Sequence, residues 1–153
     1  YAFTSELTKK LINDFPKNIV GMKDSTGNLW DNLKVKNFSM FVGSEKKLLN
    51  GLKAGAAGCI SATTNVTGAI ARKVYDDFKK YGESSEDAKL KSLRTVFDDT
   101  GNLISALHTF KSLENENYSN MLPPLEILSE EKKSEMIRKL KDLNFINKNN
   151  RAA

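Results

Sequence analysis

Three short apolar runs, each closed by a turn and separated by stretches of helical periodicity, set the strongest limit on how this chain can fold. The first, Asn18-Ile19-Val20-Gly21-Met22-Lys23, shows no polar alternation and ends in Asp24-Ser25-Thr26-Gly27-Asn28. That pattern suits a strand buried on both faces. The second run is Phe38-Ser39-Met40-Phe41-Val42, ending at Gly43-Ser44-Glu45, and the third is Cys59-Ile60-Ser61-Ala62-Thr63. Between the second and third, residues 46–54 place Leu48, Leu49 and Leu52 on one helical side, and Ala54-Gly55-Ala56-Ala57-Gly58 forms a tight connection. From Thr67 the spacing is helical again through Ile70, Val74, Phe78 and Tyr81, with Gly82 placed to end the helix. Strands alternating with helices at this rhythm imply right-handed β/α units and a parallel sheet.

The flanks are helical. Residues 4–15 carry Leu7, Leu11, Ile12 and Phe15 at helical spacing, with Thr4 or Ser5 as cap and Pro16 beyond the end. A long helix is expected from Ser84 or Ser85, carrying Leu90, Leu93, Val96, Phe97, Leu103 and Ile104. A polar loop, residues 115–120, and the extended Leu122-Pro123-Pro124-Leu125 follow. Ser129 then caps a final helix with Glu130 and Glu131 in its first turn and Met136, Ile137, Leu140 and Leu143 on its apolar side. The expected division is a β/α region over 1–82, a helical region over 83–146 and a flexible tail over 147–153. Three β/α units form either a small open sheet or part of a closed barrel, which takes eight strands and about 250 residues; the pattern leaves both open.

Composition narrows the function. The formal net charge is +5, but the 24 basic residues are interleaved with 19 acidic ones along the helices, so a solvated surface is expected rather than a nucleic-acid interface. No apolar run approaches the roughly 20 residues that span a bilayer, and the first residues lack the basic and apolar segments of a signal peptide. Neither a membrane nor a secretory route is expected. Cys59 is the only cysteine, which excludes an intrachain disulfide or a cysteine-cluster metal site and fits a reducing, cytoplasmic setting. His108, the only histidine, has no matched carboxylates, so no metal and no cofactor are expected. Cys59 and Trp30 read as core residues, and the run from Gly55 to Gly58 lacks the lysine and hydroxyl of a phosphate-binding loop.

Chemistry in β/α proteins gathers at the carboxyl ends of strands, and Lys23 closes the first run. A lysine amine there can attack the carbonyl of a 2-oxo acid and form an iminium, an electron sink for making or breaking a neighbouring carbon–carbon bond. Position alone favours a lysine that marks the strand end and reaches to solvent. Three segments in order bear on the choice. Ile19-Val20-Gly21-Met22-Lys23-Asp24-Ser25-Thr26-Gly27-Asn28 resembles the Schiff-base lysine motif of the dihydrodipicolinate synthase / N-acetylneuraminate lyase family. Val42-Gly43-Ser44-Glu45 is similar to that family's glycine and acidic turn, and Gly55-Ala56-Ala57-Gly58-Cys59-Ile60-Ser61-Ala62-Thr63-Thr64-Asn65-Val66 to its final-strand segment. Leu122-Pro123-Pro124-Leu125 before Ser129-Glu130-Glu131 resembles the family's double proline before the last helix.

The resemblance implies strands six to eight of a TIM (β/α)8 barrel followed by an α-helical C-terminal region. The first five strands, with the family's proton-transfer tyrosine and threonine-rich carboxylate-binding loop, would lie in sequence other than this; Tyr1 does not fit that tyrosine's place. It also implies Lys23 as the imine-forming residue, Ser25 near the substrate hydroxyls, Gly43 and Glu45 along the second-substrate pocket, and Ile60 offering its backbone carbonyl. Pyruvate and an aldehyde would be the substrates, and a homo-oligomer, dimer or tetramer, the assembly. A single acidic residue after Gly43 leans toward a sugar-acid aldolase, whereas the segment from Ile60 to Val66 looks closer to the synthase branch. Three strands alone would leave open sheet edges and an exposed inner face.

Overall fold

The computed structural model describes residues 3–27 and 29–146. The expected flexible tail, 147–153, and Tyr1 lie outside them. The chain divides into two compact units, one formed by residues 1–61 and 71–84 and the other by residues 62–70 and 85–153.

The first unit opens with α1 (Ser5–Asp14), where the Thr4 side chain accepts a hydrogen bond from the Leu7 N–H at 3.1 Å and satisfies one of the orphan donors of the first turn. Its apolar face is covered less than its spacing predicts. Thr8 is the only buried residue of α1, and Leu7 lies largely exposed. Strands β1 (Gly21–Asp24), β2 (Ser39–Val42) and β3 (Gly58–Cys59) then form a parallel sheet in chain order. Between β2 and β3 runs α2 (Leu48–Lys53), with Leu48, Leu49, Gly51 and Leu52 buried as the leucine spacing predicts. Gly51 permits the close approach of helix to sheet, because a Cβ there would stand 2.5 Å from Val42 Cγ1.

Register fixes which side chains share a face. Lys23 pairs with Phe41 and Phe41 with Gly58; Asp24 pairs with Val42 and Val42 with Cys59. Side chains alternate along a strand, so Lys23 and Phe41 look one way and Asp24 and Val42 the other. The second face is the packed one, with Met40, Val42 and Asp24 buried, and Met40 joins Leu29 and Leu33 in a small apolar cluster that also takes up Trp30. Here the expectation of a strand buried on both faces fails for β1. Gly21 and Lys23 are exposed, because among the described residues the helices of this unit cover one side of the sheet only.

Helix α3 (Thr64–Tyr81) begins three residues before the expected Thr67 and ends at Gly82, which adopts φ +79°. Its residues from 71 onward belong to the first unit, where Ala71 and Val74 are buried. In the second unit the single long helix expected after Ser84 is two, α4 (Asp87–Asp98) and α5 (Leu103–Ser112). Gly101, at φ +86°, turns the chain, and Asn102 Oδ1 then accepts from the N–H groups of Ile104 and Ser105 at 3.1 Å each, starting a new helix. Ile104, placed in the apolar stripe by its spacing, is consequently exposed. Residues 116–119 form a 3-10 turn within the expected polar loop. Helix α6 (Glu130–Asp142) starts at Ser129 as expected, and Met136 and Leu140 complete a core with Leu93, Phe97, Ala106, Phe110 and Leu128. Phe97 and Phe110 meet edge to face at 5.7 Å between centroids.

Candidate active site

All five residues singled out by sequence fall in the first unit, in the segments that follow the carboxyl ends of its strands or at those ends themselves. Lys23 is the penultimate residue of β1 and is exposed on the open face of the sheet, in register with Phe41 on β2 and Gly58 on β3. Among the described residues no hydrogen bond or ion pair engages its side chain, so the amine is available to a ligand.

The next residue holds the site together. Asp24 is 5% exposed and points to the packed face. Its Oδ1 accepts from Thr26 N–H at 2.8 Å and from the Thr26 hydroxyl at 2.6 Å, and its Oδ2 accepts from Leu29 N–H at 2.9 Å and Trp30 N–H at 3.3 Å. Burial by itself would raise the carboxyl pKa, but these four donors outweigh it and hold the group down at about 2. Asp24 therefore stays ionised and winds the loop after β1 into a fixed shape. Gly27 in that loop takes φ +81°, a conformation open to glycine, and a Cβ there would lie 2.5 Å from Lys47 Nζ. The bond from Thr26 N–H to Asp24 is an Asx turn, and the Asp-Ser-Thr-Gly sequence signals it. The two longer bonds, to Leu29 and Trp30, have no local signature.

Ser25 is exposed within this loop and sits directly over Gly43. A Cβ on Gly43 would come within 2.7 Å of Ser25 Cα and 2.9 Å of Ser25 Cβ, while the Gly43 N–H donates to the Asp24 carbonyl at 2.9 Å. The missing side chain thus lets the turns after β1 and β2 close on each other. Gly43→Ala is expected to destabilise the protein by about 1–3 kcal/mol through this clash and to displace Ser25. Urea unfolding measures the first effect, and a midpoint equal to wild type would show that the contact relaxes at no cost.

Glu45 lies in the segment that follows β2. It begins the 3-10 turn Glu45–Lys47, is fully buried, and its Oε2 accepts from the Ser61 hydroxyl at 2.5 Å. Ile60 is 51% exposed just beyond β3, and its N–H donates to the Val42 carbonyl at 3.0 Å. Sequence reading overlooked Ser61, since nothing at a separation of 16 residues marks it as the partner of Glu45. Cys59 is a small, half-buried strand residue whose thiol is raised to about 11 by burial and by the Glu45 charge. It stays protonated near neutral pH and is a poor nucleophile. His108, in the second unit, donates from Nδ1 to the Tyr118 carbonyl at 2.9 Å. Among the described residues no three histidine, cysteine, aspartate or glutamate side chains gather as a metal ion would require, and no helix is long and apolar enough to cross a membrane.

The arrangement can be compared with known proteins. The uncharacterized DapA-like lyase of Chloroflexus aurantiacus is 32% identical over 82 residues, which is 50% of this chain and 27% of that protein. Among solved structures, the fold is similar to YagE, a prophage protein of the dihydrodipicolinic acid synthase family from E. coli solved in complex with pyruvate. The TM-score is 0.80 at 21% identity, covering 94% of this chain and 52% of that one. It is similar too to N-acetylneuraminate lyase from Fusobacterium nucleatum, with a TM-score of 0.78 at 17% identity, covering 94% and 50%. The chain thus spans about half the length of these solved relatives. The model of the dihydrodipicolinate synthetase family matches residues 2–143. By that match, which takes in the Lys23 strand, both following strand ends and the helices to the close of α6, the chain belongs to the dihydrodipicolinate synthetase family.

Proposed function

We propose that this chain carries the Schiff-base lysine of a class I lyase that makes or breaks a carbon–carbon bond next to pyruvate, with Lys23 as the nucleophile. The observation that carries the reading is the placement of Lys23: a strand-end amine on the open sheet face, beside loops that Asp24 and Gly43 hold in shape. The neutral amine adds to the C2 carbonyl of pyruvate and water leaves, giving an iminium. Loss of a C3 proton gives an enamine, whose carbon adds to an aldehyde; in the cleavage direction the iminium of the larger 2-oxo acid accepts the electron pair of the breaking C3–C4 bond, releasing the aldehyde and leaving the pyruvate enamine. Ser25 would meet substrate hydroxyls, and Ile60 would present its backbone carbonyl to the substrate. Gly43 would shape the wall for the second substrate. No cofactor is needed for these steps.

In this reading β1 to β3 are strands six to eight of the barrel, residues 1–82 are its last three β/α units and 83–146 its appended helices. The length of the solved relatives, about twice this chain, supports that assignment. The remaining strands would cover the open Lys23 face and supply the proton-transfer and carboxylate-binding groups, in a homo-oligomeric, dimeric or tetrameric, protein. A 2-keto-3-deoxygluconate-type aldolase is favoured by the single acidic residue after Gly43. The segment Ile60-Ser61-Ala62-Thr63-Thr64-Asn65-Val66 favours dihydrodipicolinate synthase instead. A comparison in the full-length protein decides: cleavage of 2-keto-3-deoxygluconate at the higher kcat/KM supports the aldolase, and preferred condensation of pyruvate with aspartate semialdehyde supports the synthase. Turnover of neither, with no pyruvate adduct, would mark a catalytically idle assembly subunit.

A further inference from the structure

Glu45 combines features that do not suit direct contact with a substrate. Its side chain is fully buried. The Ser61 hydroxyl donates to Oε2 at 2.5 Å, and Oε1 is buried as well. The charge also reaches the neighbouring Cys59, whose thiol it helps to raise to about 11. Glu45 starts the turn after β2, and Ser61 stands two residues beyond the end of β3, so the bond ties two adjacent strand ends. Ile60 lies between them in this clasp: its N–H is bound to the Val42 carbonyl on one side, and Ser61, its neighbour in the chain, is bound to Glu45. On the far side of the same turn, Gly43 N–H holds the Asp24 carbonyl, continuing the connection to the Lys23 strand.

We infer that Glu45 is a positioning residue which acts through Ser61, fixing Ile60 and the end of β3 against the turn after β2 without touching the aldehyde substrate. The inference rests on the Schiff-base reading of Lys23 for its catalytic consequence, and on the buried Glu45–Ser61 bond for its structural one. A carboxylate lining the aldehyde pocket would set affinity for that substrate; a carboxylate clasping the strand end sets how well the imine site is aligned.

The test uses Glu45→Gln, Glu45→Ala, Ser61→Ala and the double variant Glu45→Ala/Ser61→Ala in the full-length protein. Glutamine keeps an acceptor oxygen for the Ser61 hydroxyl, so Glu45→Gln should keep KM for the aldehyde within about twofold and kcat within about fivefold. Glu45→Ala and Ser61→Ala should each lower kcat by roughly 10- to 100-fold at little change in KM, and the double variant should be no worse than the poorer single one. A tenfold or greater rise in aldehyde KM for Glu45→Gln, with Ser61→Ala silent, would overturn the inference in favour of direct contact; multiplying effects in the double variant would also overturn it. Should Glu45→Ala fail to fold, the near-isosteric Glu45→Gln and Ser61→Ala carry the comparison.

One readout is independent of turnover. In urea unfolding, Glu45→Ala and Ser61→Ala should each cost less stability in the other's background than alone, because one bond is lost in both. Additive losses would mean that the two side chains are not bonded to each other, and overturn the inference whatever the enzyme does. Non-additive losses in a protein that forms no pyruvate adduct would instead keep the clasp and reject the Schiff-base reading.

Discussion

Lys23→Arg is expected to abolish turnover, by at least about 10³-fold, while leaving the protein folded. The guanidinium keeps its proton throughout the working pH range and cannot become the free amine that adds to a carbonyl. The substitution should be tolerated by the fold because Lys23 is exposed on the open face of the sheet and, among the described residues, takes part in no hydrogen bond or ion pair. Steady-state kinetics and urea unfolding on the same preparations separate the two effects. Loss of activity with an unchanged unfolding midpoint is the expected pattern, whereas substantial turnover by the arginine variant would remove Lys23 from the chemistry.

The second large effect concerns the neighbouring residue. Asp24→Ala removes the acceptor for the Leu29, Trp30 and Thr26 N–H groups and for the Thr26 hydroxyl. The Leu29 bond is buried and water cannot easily replace it, while the exposed Thr26 can recover part of its loss. A cost of about 2–4 kcal/mol follows. The pH dependence carries the same information. Held at about 2 against an ordinary value near 3.8, the Asp24 carboxyl binds its proton less readily in the folded state. Its contribution, about 2 kcal/mol, is therefore fully present above pH 4 and is lost as pH falls through 4 toward 2. The stability gap between wild type and Asp24→Ala, measured by urea unfolding, should be widest near neutrality and shrink on acidification. A gap that stays constant down to pH 2 would show that the four bonds do not depend on the ionised carboxylate.

Much of the fold could be read from period and punctuation. The apolar runs around Met22, Met40 and Cys59 are parallel strands in chain order, and the leucines of α2 are buried as their spacing requires. The break between α4 and α5 escaped because Leu103 and Ile104 continue the helical spacing of the preceding residues. Gly101 and Asn102, a helix stop followed at once by a helix start, outweighed that periodicity. At the site, the strand-end position of Lys23 was legible from chain order alone. The setting of Glu45 was not, since a charged residue in a polar turn reads as exposed until the fold brings Ser61 to it from 16 residues away. Asp24 lies between these cases: its bonds to Thr26 follow from local turn chemistry, and those to Leu29 and Trp30 depend on how the loop returns to the sheet.

Borohydride reduction of the full-length protein in the presence of pyruvate, followed by peptide mass mapping, bears most directly on Lys23. The expected product is a single reduced pyruvate adduct on the peptide containing Lys23, absent without pyruvate and absent from Lys23→Arg. A correctly folded protein that gains no adduct, or gains it on another lysine, would contradict the assignment of Lys23 as the Schiff-base residue.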